Sequence, residues 1–386
     1  MQAQRQSAHN SWVGRIAVGI DDPVRRLRFL KVARPDIEDR PAGRSHIRAR
    51  LLLIPVFLAA LASVLFVRAP AKARLPLAPA RPVQPAVAKS PGQPSQVWEV
   101  EKTATSETYS NGLWIDDRYA IANHPRAYLA FPAYRTDAPA MRRSDPAGVV
   151  FHTTESSQAA FSPEDNGTLR RIGESLLEYV RRKRAYHFVI DRFGRVHRVV
   201  AEGDAANHAG FSVWADEQWL YVNLNESFFG VSFEAQTGPQ GAGAAIGPAQ
   251  ARAGAMLVEM LRSRYRIPAA NCVTHAQVSV NPSNMQAGYH TDWAFGFPFE
   301  QLGLPDNYAR DLPSVGAFGF QYAGGPADAA ESGVYAGAAR TEKRIEERAS
   351  ASGIGLAAYR KSLRKRFEQR FGEMRRFESQ YSAGSS

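Results

Sequence analysis

The sequence predicts an α/β fold, in which strands and helices alternate around one hydrophobic core. Three observations between residues 146 and 305 support this prediction. Short apolar runs are followed directly by polar residues, as happens where a buried strand ends. Apolar residues at helical spacing lie between these runs, and a turn containing glycine joins two of the runs into a hairpin. Chains of this pattern fold as layers of helix and sheet.

The predicted elements follow one another in a simple order. The first strand is the apolar run GVVF at 148–151, which ends at His152. A helix is expected over 169–184, where apolar residues recur at helical spacing and basic residues occupy the last turn. The remaining elements are a hairpin with its turn at 191–194, a strand at 229–234, and a helix at 248–265 that begins at a proline.

An uninterrupted apolar run over residues 51–67 separates the N-terminal part of the chain from the rest. Its length is at the lower end of what a membrane-spanning helix needs. Because more basic residues precede the run than follow it, we expect residues 1–50 to be a basic cytoplasmic tail and the later chain to lie outside the cytoplasm. A cleaved signal peptide with Ala71-Lys72-Ala73 as its cleavage site is one alternative, and a buried core helix is another.

The composition changes again after this run. Residues 68–97 are rich in proline and alanine, which predicts an extended, semi-rigid linker. Residues 98–145 are a lead-in region with scattered aromatic side chains, and 146–310 are the predicted compact domain. Residues 311–386 combine a segment rich in glycine and alanine with a basic helical tail. We expect little order over 312–338 and a helix over 340–378, whose basic face is either solvated or in contact with anionic lipid or polymer.

Charge and cysteine content narrow the classes of partner and site. The formal net charge of +11 suits nucleic acid, anionic lipid or another anionic polymer. No recognised nucleic-acid-binding motif accompanies that charge, so we predict no nucleic-acid partner. The single cysteine, Cys272, can form neither an internal disulfide nor a thiolate-rich zinc site. Any bound metal must therefore be held by histidines and carboxylates.

Two histidines and one aspartate have the pattern of a catalytic metal site. His152 and His275 each follow a strand-like apolar segment, and the ends of central strands face the crevice where α/β folds keep their sites. Asp292 lies two residues after His290, so both side chains face the same way in an extended segment. Two imidazoles and a carboxylate leave a fourth position for water, as in catalytic rather than structural zinc sites. The sequence thus predicts a Zn²⁺ site of His152, His275 and Asp292.

Six motifs, taken in order, resemble the N-acetylmuramoyl-L-alanine amidases of the peptidoglycan recognition protein and amidase type 2 superfamily. YHFVIDRFG at 186–194 and NHAG at 207–210 are the most specific of them. HTT at 152–154, GVSFE at 230–234, TH at 274–275 and HTD at 290–292 complete the series. The resemblance spans roughly 146–300. It implies a central mixed β-sheet flanked by helices, one zinc ion in a surface groove, and cleavage of the amide between N-acetylmuramic acid and L-alanine.

The resemblance also implies roles for individual residues. The three predicted ligands match the ligands of the family. Glu234 matches the acid that accepts a proton from the zinc-bound water, and Tyr186 matches a tyrosine that supports this water or the oxyanion. The residues implied to bind glycan or peptide in the groove are Thr153, Asn207 and His208.

The chain departs from the family at two points. His290 stands where the family often has a lysine, two residues before the third ligand. A histidinium there can stabilise an oxyanion, but it titrates near neutral pH, and His290 is also an alternative metal ligand. In addition, the stretch 276–289 is longer than the usual loop after the second ligand, and it would form one wall of the groove.

The predicted function is therefore zinc-dependent hydrolysis of peptidoglycan or of muropeptides. The predicted location is the bacterial cell envelope, with the catalytic domain in the periplasm and the protein either anchored in the inner membrane or secreted. A non-catalytic peptidoglycan-binding module is the alternative. Relatives of that kind typically lose a metal ligand, whereas all three ligand positions are filled here, and Glu234 is present.

Overall fold

A computed structural model describes residues 94–133, 138–238, 245–322 and 333–384 of the chain. All of them belong to one compact unit, Pro85–Ser386. The predicted tail 1–50, the apolar run 51–67 and most of the linker 68–97 lie outside the described residues. Within the described ranges, no helix combines the length and the apolar character needed to cross a membrane.

These ranges contain fifteen strands and seven helices. The strands are β1 (Glu99–Lys102), β2 (Ser106–Tyr109), β3 (Trp114–Asp116), β4 (Tyr128–Pro132), β5 (Met141–Arg143), β6 (Gly148–Thr153), β7 (Phe188–Ile190), β8 (Val196–Arg198), β9 (Val213–Ala215), β10 (Trp219–Val222), β11 (Phe228–Phe233), β12 (Cys272–Thr274), β13 (Val280–Asn281), β14 (Gln286–Ala287) and β15 (Gln321–Tyr322). The helices are α1 (Asn166–Lys183), α2 (Leu224–Ser227), α3 (Pro248–Tyr265), α4 (His275–Val278), α5 (Pro313–Phe318), α6 (Gly333–Ala351) and α7 (Leu356–Gly384).

An eight-stranded mixed sheet lies at the centre, in the order β1-β2-β3-β8-β7-β11-β6-β12. Strands β7, β11, β6 and β12 run parallel to one another, whereas β8 is antiparallel to β7 and β1 to β3 are antiparallel among themselves. The predicted α/β fold with a central mixed sheet is therefore confirmed. The lead-in region, left without assigned elements by the sequence, supplies the first three strands of this sheet and two strands of a separate four-stranded sheet, β5-β4-β10-β9.

The central strands are buried on both faces, which explains their continuous apolar sequences. All six residues of β6 and all six of β11 are buried. On one face, α3 packs against Phe151 and Phe233 through Leu257 and Leu261. On the other face, α1 covers Val189 and its neighbours, and the four-stranded sheet covers the rest. The core therefore lies in two layers on either side of the sheet.

The C-terminal helices belong to the same core as the sheet. Val334 and Ile345 of α6 and Phe367 of α7 are buried in one hydrophobic cluster with the residues of the central strands. The predicted boundary at residue 310 therefore does not coincide with a break in packing. The long predicted helix over 340–378 is in fact two helices, which are separated by a turn at Gly353 with a φ of +67°.

The expectation of little order over 312–338 is wrong for two parts of that segment. Residues 313–318 form α5, and α6 begins at residue 333. Small residues permit close packing here, because a Cβ atom on Gly337 would lie 2.6 Å from the carbonyl oxygen of Arg310. The glycine- and alanine-rich sequence of this segment therefore reflects the close approach of a helix to neighbouring backbone.

Candidate metal centre and active site

Two adjacent parallel strands bring the predicted histidine ligands together. His152 is the fifth residue of β6, and His275 is the first residue of α4, directly after β12. Because β12 pairs with β6 in parallel, the carboxyl ends of both strands meet at the same edge of the sheet. Asp292 approaches from the loop after β14, and its carbonyl oxygen accepts a hydrogen bond from the Ala276 amide at 3.2 Å.

The three side chains converge through defined atoms. His152 Nδ1 lies 3.3 Å from Asp292 Oδ2, and His275 Nδ1 lies 3.0 Å from Asp292 Oδ1. The three donor atoms all lie within 4.8 Å of one another. Both imidazoles are buried, and the Asp292 side chain is 13% exposed. The predicted ligand set is thus assembled at one point, where the Asp292 side chain is the most exposed of the three.

The pKa values of His152 and Asp292 suit metal binding. Burial, together with the neighbouring His275, lowers the pKa of His152 to about 4. Burial opposes ionisation of Asp292, but the two histidines outweigh it and hold the pKa of this carboxyl well below its usual range. A metal ion requires neutral imidazoles and an ionised carboxylate. Two nitrogens and one carboxylate oxygen with room for a further ligand form the donor set of a catalytic zinc site, so these residues fit Zn²⁺.

His275 belongs to the group of converging donor atoms, whereas Cys272 does not. The Nε2 atom of His275 is buried and has no hydrogen-bond partner among the described residues. Its Nδ1 atom is the one that faces Asp292. Cys272 lies in the core, and burial raises the pKa of its thiol to about 12. As the sequence indicated, the cysteine takes no part in this site.

His290 lies beside the site but outside the group of converging donors. Its ring stacks on that of His275, with centroids 4.5 Å apart and an interplanar angle of 17°. Its amide donates a hydrogen bond to Ser279 Oγ at 3.0 Å. The group of donors in the described residues consists of His152, His275 and Asp292, so the geometry gives no support to His290 as an alternative ligand.

Tyr186 flanks His152 on another side. Its ring centroid is 5.1 Å from that of His152, and its backbone has a φ of +59°, in the left-handed region. Burial, with a further contribution from the charge of Asp292, raises the pKa of its hydroxyl. A tyrosine that stays protonated at neutral pH is a hydrogen-bond donor beside the site.

Glu234 has different surroundings from those of Tyr186. It lies two residues beyond Ser232, which pairs with His152 in the sheet, so it is on the same face as His152 and further along the strand. Its Oε2 accepts a hydrogen bond from the Arg192 amide at 3.1 Å. Burial and the nearby Asp191 raise its pKa, while Arg192 lowers it. The charges that act most strongly on Glu234 are thus those of the β7–β8 turn, and its role as a base remains a prediction.

The predicted groove residues fall into two environments. Thr153 is buried, and its hydroxyl donates to Glu155 Oε1 at 2.7 Å. Asn207 is exposed, and its side-chain amide donates to the carbonyl oxygen of Lys183 at 3.0 Å. Glu155 was missed by the sequence reasoning, although it directly follows the HTT motif. It has a φ of +52°, accepts a hydrogen bond from the Thr237 amide, and raises the pKa of Tyr186.

The ring of His208 lies between His152 and the backbone of β11. Its Nδ1 lies 3.2 Å from His152 Nε2, and its Nε2 lies 3.2 Å from the carbonyl oxygen of Phe228. Burial and the neighbouring His152 hold its pKa well below the ordinary value. Both ring nitrogens therefore have partners within the protein, which the prediction of a groove-lining histidine did not foresee.

The sequence reasoning also missed Arg126, a buried arginine that contacts His187. The Arg126 guanidinium donates to the carbonyl oxygens of Glu226 at 2.8 Å and Asp204 at 3.0 Å, and it lies 2.9 Å from His187 Nε2. Burial lowers its pKa to about 10. A single arginine in the lead-in region carries no sequence signal for this position, because its partners are backbone carbonyls from distant parts of the chain.

Comparisons with known proteins can be set against this geometry. Residues 142–292 match the family model described as N-acetylmuramoyl-L-alanine amidase, and this range contains all three converging donors. A search of curated proteins found no significant match.

Several solved structures are similar to part of the chain. The amidase AmiD from E. coli, in complex with anhydro-N-acetylmuramic acid-L-Ala-D-gamma-Glu-L-Lys, is 24% identical over 41% of this chain and 56% of its own, with a TM-score of 0.32. AmpDh3 from Pseudomonas aeruginosa, in complex with anhydromuramic pentapeptide, is 21% identical over 44% of this chain and 62% of its own, with a TM-score of 0.31. Drosophila peptidoglycan recognition protein SD is 13% identical over 42% and 84%, with a TM-score of 0.25.

The matched part of this chain spans less than two thirds of the length of AmiD and of AmpDh3. The match to the family model covers the strands and loops that carry the predicted ligands. Residues 142–292 are therefore the part of this chain that matches the N-acetylmuramoyl-L-alanine amidase family model.

Proposed function

We propose that this domain is a zinc-dependent amidase that hydrolyses the amide between N-acetylmuramic acid and L-alanine in peptidoglycan. The observation that carries the proposal is the convergence of His152 Nδ1, His275 Nδ1 and the Asp292 carboxylate at one edge of the sheet, inside a segment of the amidase family. Two of the similar structures have muropeptides bound, which supports the same class of substrate.

His152, His275 and Asp292 would hold the Zn²⁺ ion. When bound, zinc supplies a Lewis acid that polarises a carbonyl group and makes a water molecule more acidic. The protein contributes the charge state that binding requires: burial keeps His152 neutral, and the two histidines keep Asp292 ionised. Asp292 is the most exposed of the three side chains, so we propose that the substrate approaches from its side.

Two neighbouring residues are proposed to stabilise the oxygen that gains negative charge. Tyr186 lies against His152, and its raised pKa keeps the hydroxyl proton available for donation. His290 lies against the ring of His275. Hydrogen-bond donors that are fixed before the reaction lower the barrier because they need no reorganisation when the charge develops.

We propose that Tyr186, rather than Glu234, is the protein group beside the reacting atoms. The charged groups that act on the pKa values of Tyr186 and His152 include Asp292, which belongs to the predicted metal site. Those that act most strongly on Glu234 are Asp191, Arg192 and Arg195. Besides Asp292, Glu155 also contributes to the raised pKa of Tyr186.

The experiment that tests the proposal is digestion of purified sacculi by the full-length protein, before and after removal of zinc by a chelator. Mass spectrometry should identify released stem peptides that begin with a free L-alanine amine. Release should stop when zinc is removed and return when stoichiometric Zn²⁺ is added back. Equal release by protein shown to be metal-free would contradict the proposal, and binding to sacculi without release in the presence of zinc would favour the non-catalytic module.

Location and further contacts are also proposals. Peptidoglycan as substrate implies action in the bacterial cell envelope, and the predicted membrane segment at 51–67 would hold the domain there. The C-terminal helix α7 exposes basic residues along its outer side, including Lys361, Arg364 and Lys365, while Leu363 and Phe367 face the core. Contact between this basic side and anionic lipid or wall polymer remains a prediction.

A further inference from the structure

We propose that His208 is a positioning residue, which sets the tautomer of His152 so that the Nδ1 lone pair of His152 faces the metal. This role differs from the contact with glycan or peptide that the sequence predicted. The inference rests on the proposed zinc site, although it can be tested without measuring hydrolysis.

The hydrogen-bond chain has only one consistent direction. The carbonyl oxygen of Phe228 can only accept, so His208 Nε2, at 3.2 Å from it, carries the proton and donates. The neutral ring of His208 then has a bare Nδ1, which accepts from His152 Nε2 at 3.2 Å. With its proton on Nε2, neutral His152 has its lone pair on Nδ1, the atom that faces Asp292. A backbone carbonyl thus determines, through His208, which nitrogen of His152 is free for metal.

The backbone around His208 holds its ring in this orientation. The Asn225 Oδ1 atom accepts hydrogen bonds from the amides of His208 at 2.9 Å and Ala209 at 2.7 Å. The ring lies directly over Gly230 of β11, where a Cβ atom would come within 2.5 Å of His208 Cγ. Any residue other than glycine at 230 would therefore displace the ring. The glycine of the GVSFE motif makes room for the imidazole that orients the ligand.

The two histidines of the proposed metal site differ in the hydrogen bonding of their Nε2 atoms. His152 donates from Nε2 to a side chain that is itself fixed by the backbone. The Nε2 atom of His275 is buried without a hydrogen-bond partner in the described part of the chain. We therefore expect His152 to be oriented before metal arrives. The Asp292 carboxylate can only accept, so in the metal-free protein it favours a proton on Nδ1 of His275, which metal binding displaces.

The test compares two replacements of similar size in the full-length protein, H208N and H208L. Asparagine can place an acceptor oxygen near the position of Nδ1, whereas leucine offers none. Zinc affinity is measured by competition with a chromophoric chelator, and the absorption spectrum of the Co²⁺-loaded protein reports the ligand geometry. We expect H208L to weaken zinc binding about 10- to 100-fold, the usual effect of losing such a partner, and to alter the Co²⁺ spectrum. H208N should stay within about threefold of the wild type.

Several outcomes would overturn the inference. Wild-type zinc affinity in H208L would show that His152 needs no partner, and equal losses in H208N and H208L would show that the ring only fills space. If H208L fails to fold by circular dichroism, H208A takes its place, and the same comparison with H208N decides. A higher KM with unchanged zinc affinity would instead show that His208 contacts the substrate. Zinc affinity that depends on His208 in a protein that does not cleave sacculi would uphold the inference and defeat the proposed function.

Discussion

Two buried clusters of histidine and aspartate lie in this domain, and they are built for different purposes. The first is the triad of His152, His275 and Asp292. The second, the His197 cluster, consists of His197 with Asp116 and Asp191. In the His197 cluster each ring nitrogen has its own carboxylate, with Nδ1 3.1 Å from Asp116 Oδ2 and Nε2 3.2 Å from Asp191 Oδ2. One histidine is thus shared by two acids.

The source of positive charge distinguishes the two clusters. Arg118 pairs with Asp116 at 2.6 Å, and Arg195 pairs with Asp191 at 2.5 Å, so the second cluster is neutralised by the protein itself. In the triad, two imidazoles face one carboxylate, and the three donor atoms lie within 4.8 Å of one another. The His197 cluster is complete as it stands, whereas the triad becomes electrostatically complete when a cation binds. Buried charges are tolerated where they are paired or coordinate a metal.

Replacement of His275 by alanine should have the largest effect on function. The variant loses one of three ligands, so zinc content should fall to near zero and amidase activity should drop by on the order of 10³-fold or more. Metal analysis of the purified protein and release of stem peptides from sacculi measure the two effects. Because His275 is buried and contacts Asp292, the free energy of unfolding of the zinc-free protein should fall by about 1 kcal/mol, the usual contribution of one hydrogen bond.

Two results with H275A would contradict the proposed difference between the clusters. Full zinc content in H275A would remove this residue from the ligand set. A zinc-free H275A protein that unfolds far more easily than the zinc-free wild type would show that the triad, like the His197 cluster, holds the fold together.

The matched variant in the other cluster is H197A, and it should act on stability instead. Asp116 and Asp191 are almost completely buried, and removal of the ring takes one hydrogen bond from Oδ2 of each, while Arg118 and Arg195 still contact these oxygens. The loss of two hydrogen bonds to buried charged groups should cost about 3 kcal/mol of the free energy of unfolding, measured by urea titration of the zinc-free protein. Zinc bound per folded molecule should not change. Loss of zinc by a folded H197A protein would contradict the distinction between the clusters.

The sequence distinguished these clusters only in part, for a physical reason. His152 and His275 could be predicted because strand ends in a parallel sheet meet at one edge, which depends on the order of strands and not on side-chain detail. Asp292 could be predicted from its spacing after His290 and from the resemblance. His197 follows the YHFVIDRFG motif, which contains Asp191, by three residues. Its other partner, Asp116, comes from β3 of the lead-in region, which pairs with β8 only in the folded sheet.

For His208 too, the sequence did not predict the orientation of the side chain. The NHAG motif located the residue but not the direction of its ring, which depends on the space above Gly230 and on the carbonyl of Phe228. The order of the C-terminal helices was underestimated for a similar reason. Val334 and Phe367 are buried by surfaces that lie far away in the sequence, and a glycine- and alanine-rich composition carries no information about them.

The dependence of stability on pH should also distinguish the two clusters. The pKa of His152 is about 4 in the folded protein and near 6.5 in an unfolded chain. Between these values the unfolded chain binds a proton that the folded protein does not, so the free energy of unfolding of the zinc-free protein falls as the pH is lowered from 6.5 to 4. The difference of roughly 2.5 pH units corresponds to about 3 kcal/mol.

Urea titrations of zinc-free protein at several pH values measure this loss. The variant H152N, which has no titrating ring, should show a much smaller change over the same window. H197A should keep the dependence of the wild type, since His152 is intact in it. Equal slopes in H152N and the wild type would show that acid sensitivity comes from elsewhere in the molecule.

The smallest predicted effect concerns the tyrosine that lies against each cluster. Tyr186 lies 5.1 Å from His152, and Tyr119 lies 5.9 Å from His197, measured between ring centroids. If Tyr186 donates a hydrogen bond to the developing oxyanion, Y186F should lower kcat by about 10²-fold and leave zinc content unchanged. Y119F removes a hydroxyl beside the cluster that has no catalytic role, so its kcat should equal that of the wild type.

The same assay decides between Tyr186 and Glu234. Removal of a general base lowers the rate by about 10²- to 10⁴-fold, whereas a carboxylate whose main partners are Arg192 and the β7–β8 turn should matter little to the chemical step. We therefore expect E234Q to change kcat by less than about threefold. A loss of two orders of magnitude in E234Q, with Y186F unaffected, would instead make Glu234 the proton acceptor. Tyr186 would then be a packing residue on His152, as Tyr119 is on His197.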